Sequence, residues 1–155
     1  MASSPTQAQR IGRLTTPLGG DALVLYRFDG SEGLSELFEF SVEAFSEEPV
    51  ADFSPVIGAI CHVEIGSQDG TRRHFNGYCV ASRWIGMRET YHVYRLTLRP
   101  WLWLLSQTAN SRLFANKSIP DIIKDVFGKY AAFAKFEDRL AASYQPLKYC
   151  VQYRE

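Results

Sequence analysis

From Thr90 to Pro100 the chain reads TYHVYRLTLRP, and its side chains alternate without a break. His92, Tyr94, Leu96 and Leu98 fall on one face, and Val93, Arg95, Thr97 and Arg99 fall on the other, which is the two-residue period of a β-strand. The second face carries two arginines, so the strand has a core on one side and solvent or a partner on the other. Such a strand belongs to an antiparallel sheet, because strands of a parallel sheet are covered on both faces and read as continuous apolar runs. Pro100 has no N–H to give a ladder and ends the strand. A chain with this element must build an antiparallel sheet around it.

The neighbouring segments supply the partners. LFEFSVEAF puts Phe38, Phe40, Val42 and Ala44 on one face and Glu39, Ser41 and Glu43 on the other. DALVLYRF, Asp21 to Phe28, has the Val, Leu, Tyr and Phe content of a strand. DGSEG, Asp29 to Gly33, reads as a turn. AICHVEIG is a further strand, joined through the turn SQDG to the strand RRHFNGYCVASRWIG, in which Gly77 predicts a bulge or a sharp bend of the kind barrels use. PVADFSPVIG, with two prolines, is a connection. The first twelve or so residues are polar and read as a loose tail. Near the end, an apolar stretch from Phe133 to Phe136 and a polar loop with Pro146 lead to YCVQY, a last short strand.

One helix is predicted, from Ser118 to about Gly128. Ser118 is a suitable N-cap with Asp121 three residues on, and Pro120 sits in the first turn, where its missing N–H is harmless. Ile119, Ile122, Ile123, Val126 and Phe127 share one face at helical spacing, and Gly128 supplies a stop. The stripe reads as core.

PWLWLL, Pro100 to Leu105, is the densest aromatic run. A membrane anchor is excluded by length, since a spanning helix needs about 20 apolar residues and this run closes at Ser106. It reads as a corner, where the long strand ends and aromatic side chains pack over the barrel, because aromatic residues bring large buried area to a small core. MASSPTQAQR has no apolar h-region, so no secretory leader or membrane anchor is expected there, and export needs another route.

The charge balance limits the partners. Seventeen acidic residues offset 17 basic ones, so no net field attracts nucleic acid or an anionic bilayer. Arg72, Arg73 and His74 form the one tight basic cluster and read as a solvated hairpin end. With 46% hydrophobic residues the chain has enough apolar content for a core.

No set of residues points to catalysis or to a cofactor. G-x-S-x-G, H-E-x-x-H, the P-loop pattern and G-x-G-x-x-G are all missing. Glu36, Glu39, Glu43, Glu47 and Glu48 are crowded, but Glu39 and Glu43 alternate outward along one strand, whereas a glycosidic pair must face across a cleft. Cys61, Cys79 and Cys150 are odd in number and have no C-x-x-C spacing, which predicts reduced thiols. His62, His74 and His92 lack close ligand spacing, so no metal is assigned. Catalytic, cofactor-binding and metal residues are therefore expected to be none.

Four blocks in order carry a family resemblance: YRFDGSEGLSELFEFSVEAFSEE, HFNGYCVASRW, YRLTLRPWLWLLSQTANSRLFANKSIPDIIKDVFG and YCVQYRE. Together they span nearly everything from Leu14 to Glu155. The sequence resembles the N-terminal hub region of VgrG, the spike protein of bacterial type VI secretion systems.

The resemblance implies a mainly β fold, an antiparallel tube-type β-barrel of phage tail hub kind with one amphipathic helix at about 118–128. It implies a tail at 1–13, a first hub barrel at 14–112 that is incomplete without downstream strands, and the start of a second hub domain at 113–155. Glu155 then reads as a point of truncation or cleavage, and unpaired strand edges are expected to promote self-association. The implied role is structural: a trimer capping a tube of hexameric Hcp rings, cytoplasmic before firing and then secreted through the apparatus without a signal peptide. Effectors or adaptors would bind through C-terminal parts of the family that lie outside this sequence. Two other readings stay open from the residues alone: a carbohydrate-binding barrel with Trp84, Trp101 and Trp103 as stacking platforms, and a domain associated with cell-wall hydrolysis.

Overall fold

The structure, a computed structural model, describes residues 5–154. It divides into two compact units, one running to Pro100 and the other from Trp101.

The first unit is a six-stranded antiparallel sheet. Its strands are β1 (Gly12–Thr15), β2 (Val24–Ser31), β3 (Glu39–Ser46), β4 (Ile60–Gly66), β5 (Arg72–Arg88) and β6 (Tyr91–Arg99), in the order β1-β4-β5-β6-β3-β2. The alternation read from the sequence decides what is buried. Phe40, Val42 and Ala44 of β3 and Tyr94, Leu96 and Leu98 of β6 point into the core, where they meet Leu14, Leu23, Val63 and Val56. Val93, which alternation puts on the outer face, is buried as well. Burial of each large aliphatic side chain contributes about 1.5–3 kcal/mol. Phe28, Phe38, Phe40 and Phe75 extend the core as a linked set of rings, with Phe38 stacked on Phe40 at 4.4 Å between centroids and Phe28 against Phe75 at 4.7 Å.

Two glycines depart from expectation. DGSEG does not turn at Asp29, because β2 runs on to Ser31 with Gly30 directly opposite Phe40. A Cβ on Gly30 would lie 2.4 Å from the Phe40 ring, so the missing side chain makes room for that ring. Gly77 is not a bulge either. It pairs in register with Cys61, and a Cβ there would lie 2.9 Å from the Leu98 Cβ and 3.2 Å from the Arg99 nitrogen. The shifts in register occur further along β5, at Val80 and Ile85, and let a 17-residue strand curve against β6.

The sheet curls into a partial barrel in which its two edge strands approach each other. Residues 7–10 belong to this closure and not to a loose tail: Gln7 is only 6% exposed, and its side chain bonds to both Leu14 of β1 and Leu25 of β2. Apolar spacing could not reveal this, since the residue that closes the seam is polar.

The second unit begins with a 3₁₀ helix, Trp101–Gln107. It continues with β7 (Arg112–Lys117), α1 (Ile119–Gly128) and β8 (Leu147–Gln152), and β7 and β8 pair as a two-stranded antiparallel sheet. The Ser118 hydroxyl accepts the Asp121 N–H, as the N-cap prediction requires. Gly128 lies inside the helix, and Lys129 in a right-handed helical conformation caps it. The predicted stripe is only partly covered: Ile122 is 9% exposed, whereas Ile119 and Ile123 are exposed, the latter at 44%. β1 and β7 have no counterpart in the sequence reading, because GRLT and RLFANK are short and lack a clear alternation.

Candidate functional site

The outward face of β2, β3, β6 and β5 holds the most organised polar surface. Strand register aligns Arg27 with Glu43, Glu43 with Arg95, and Arg95 with Arg83, so one row crosses four strands. Arg95 donates to Glu43 at 2.6 Å, Arg27 pairs with Asp29 at 2.6 Å, and Arg99 forms an ion pair with Glu39. This is the outward alternation of Glu39 and Glu43 with Arg95 and Arg99 that the sequence predicted, and it pairs each carboxylate with an arginine. An acid/base pair needs its carboxylates free to face a substrate, and these two are engaged on an open strand surface.

Alongside this row, on the same four strands, lie aromatic side chains. Tyr26, Phe45, Arg88, Glu89, Tyr91 and Val93 line a shallow cleft. Arg88 stacks over the Tyr26 ring at 4.9 Å, Arg10 stacks over Phe45 at 5.0 Å, and Phe45 packs against Tyr91 at 5.0 Å. The three rings are tilted to one another, so they do not form the flat platform on which a sugar ring stacks. Sequence reading missed this cleft because its residues come from four strands and the intervening turn.

The other singled-out residues are dispersed. His62 shares a hydrogen bond with Asn76 at 2.6 Å, His74 lies 3.8 Å from Glu64, and His92 is in register with Ser46 and Met87. Among the described residues no three His, Cys, Asp or Glu side chains are grouped as metal ligands. Arg72 forms an ion pair with Glu64, and Arg73 one with Glu32 at 3.4 Å, so the basic cluster is engaged with acids. Cys61 and Cys79 are fully buried and Cys150 is half-buried, all as free thiols. The hydrogen bond that the Cys61 thiol donates to Cys79, chiefly, and the burial of Cys61 push this thiol far above its ordinary range, which keeps it protonated and unreactive.

The tryptophans divide between the units. Trp84 on β5 is 55% exposed. In the second unit the Trp101 ring meets Phe127 of α1 edge-on at 4.8 Å, and Phe127 meets Phe136 at 5.0 Å. In the aromatic run after Pro100, Trp101 thus packs against α1, and no residue of the 3₁₀ helix is fully buried. Among the described residues no helix is long and apolar enough to cross a membrane.

Comparison with known proteins places this geometry. The profile of the phage tail baseplate hub (GPD) family matches residues 31–155. The type VI secretion system spike protein VgrG1b of Pseudomonas aeruginosa is 41% identical over 149 residues, covering 96% of this chain and 20% of the relative. VgrG3 of Vibrio cholerae is 28% identical, covering 89% of this chain and 14% of the relative. Among solved structures, the E. coli c3393 protein is described as a type VI secretion component with structural similarity to the T4 bacteriophage tail proteins gp27 and gp5. It superimposes with a TM-score of 0.73 at 17% identity, over 91% of this chain and 39% of that one. The chain spans about a fifth of the length of the VgrG relatives with which it shares most identity. Its curled antiparallel sheet and the match over residues 31–155 agree: the chain belongs to the phage tail baseplate hub family, as a relative of the VgrG spike proteins.

Proposed function

We propose that this chain is the hub portion of a type VI secretion spike, that it assembles as a trimer, and that it caps a stacked tube of hexameric Hcp rings. The observation that carries the reading is the 41% identity to a spike protein along 96% of the chain. The structure supports it in kind. A curled antiparallel sheet with cross-strand ion pairs on its outer face suits a building block. In this reading the chain works as a structural component and not as an enzyme. It is loaded in the cytoplasm and leaves through the apparatus, while effectors or adaptors engage parts of the spike outside this sequence.

The test is retention of this chain by immobilised Hcp rings from the same genome, with the full-length spike as a positive control. Saturable retention supports the proposal. Rings that hold the full-length spike but show no affinity for this chain, alone or as competitor, count against a ring-contacting role.

A further inference from the structure

The two edges of the six-stranded sheet are not joined by a strand ladder. Among the described residues β1 pairs only with β4, and β2 only with β3. Between them lies the side chain of Gln7. Its Oε1 accepts the Leu14 N–H at 2.7 Å and the Leu25 N–H at 3.1 Å, and its Nε2 donates to the Leu14 carbonyl at 3.0 Å. Toward Leu14 the carboxamide therefore behaves as the peptide group of an adjacent strand would, giving one bond and receiving one. Toward Leu25 it uses the second lone pair of the same oxygen. These bonds orient the amide without ambiguity, because two N–H donors need the oxygen and one carbonyl needs the nitrogen.

Other contacts hold the segment in place. Asp21, in a left-handed conformation at φ 61°, accepts the Gln7 N–H at 3.0 Å and the Thr6 hydroxyl at 2.8 Å. The Arg10 guanidinium donates to the Leu25 carbonyl at 2.9 Å. The seam is tight where the strands approach: a Cβ on Gly12 of β1 would lie 2.7 Å from a methyl of Leu25.

We propose that Gln7 is a side-chain latch that closes the partial barrel, and that its withdrawal frees the facing edges of β1 and β2 to pair with a second copy of this chain. An unpaired strand edge is a template for strand addition. A closure made by the side chains of one short segment, with Gln7 the one that bonds both strands, can open without unfolding the other strands, unlike a closure made by a full ladder.

The experiment uses the whole chain and compares it with Gln7→Ala and Gln7→Glu. Hydrogen exchange at the Leu14 and Leu25 amides reports the latch, exchange at Val42 and Leu96 reports the core, and sedimentation velocity reports association. In Gln7→Ala, Leu14 and Leu25 should exchange at least about ten-fold faster, since buried donors have lost their acceptor, while Val42 and Leu96 keep their protection and concentration-dependent oligomers appear.

Gln7→Glu separates loss of the latch from general damage. The carboxylate at neutral pH repels the Leu14 carbonyl and should open the seam. On acidification the carboxyl regains, once protonated, a donor for the Leu14 carbonyl and should restore protection, and because burial disfavours its charged form this should occur while Asp21, held below 3.8 chiefly by the Gln7 backbone N–H, is still ionised. Unchanged exchange at Leu14 and Leu25 in Gln7→Ala overturns the proposal, as does an equal loss of protection at all four amides. If Gln7→Ala does not fold, the pH response of Gln7→Glu decides, and protection at Leu14 and Leu25 that recovers at no pH at which Val42 and Leu96 stay protected overturns it.

Discussion

Glu43 and Arg95 stand directly opposite each other on β3 and β6, and the Arg95 guanidinium donates two hydrogen bonds to one carboxylate oxygen, at 2.6 and 3.2 Å. Arg95 also faces Arg83 on its other side, so Glu43 is the single acid that neutralises this part of the row. Cross-strand pairs of this kind contribute about 0.2–1 kcal/mol, and like charges directly opposite are unfavourable by similar amounts. Arg83→Glu should therefore stabilise the chain by about 0.2–1 kcal/mol, and Glu43→Gln should destabilise it. Denaturant melts check both signs. Arg83→Glu that lowers the midpoint would show that the row does not act as a charge ladder.

Gly77 offers a packing test. Its missing Cβ leaves room for Leu98 and for the backbone of Arg99, neither of which is a flexible chain end. Gly77→Ala should cost about 1–3 kcal/mol through overpacking, whereas Gly20→Ala, with nothing within 4 Å, should change stability little. Equal midpoints for the two variants would refute the close approach of β5 to β6 at this position.

The helix yields an ordering. Ser118→Ala should cost about 1 kcal/mol through loss of the N-cap. Ile122→Ala should cost about 2–5 kcal/mol as a core truncation, and Ile123→Ala less than Ile122→Ala, because Ile123 is 44% exposed. Thermal melts of the three variants give the order directly.

Acid should loosen the second unit. The Ser118 hydroxyl, chiefly, holds the Asp121 carboxyl below its ordinary 3.8, and Lys124 does the same for Asp138. A carboxylate with a depressed folded-state pKa adds stability that is fully present above the unfolded value and is lost as pH falls through the folded one. The contribution is thus intact at neutral pH and fades below about pH 4. The prediction is that Asp121→Asn and Asp138→Asn each weaken the acid dependence of helix circular dichroism below that point. Both variants retaining the full dependence would assign it to other groups.

Much of the first unit was legible because its strands alternate. Phe40, Val42 and Ala44, and Tyr94, Leu96 and Leu98, were assigned to the core face and are buried there, and the outward Glu39, Glu43, Arg95 and Arg99 form ion pairs. What was illegible depends on contacts distant in sequence. Gly30 looks like a turn residue until Phe40 is seen opposite it, and Gln7 looks like tail until Leu14 and Leu25 are seen around it. The aromatic cleft draws on Tyr26, Phe45, Arg88 and Tyr91, which only the sheet order brings together. Ile119 and Ile123 show the converse: helical spacing identifies an apolar stripe but does not reveal how much of it is covered.

The central claim, that this chain is a spike hub which caps a tube ring, is tested most directly by the mass of the complex between the full-length spike and Hcp rings from the same genome. Mass photometry of the mixture should show a trimeric spike seated on a hexameric ring, and deleting the segment that contains residues 5–154 should abolish that species while leaving free rings intact. A complex of unchanged mass and affinity without this segment, or spikes and rings that stay apart at concentrations where each is assembled, would contradict it.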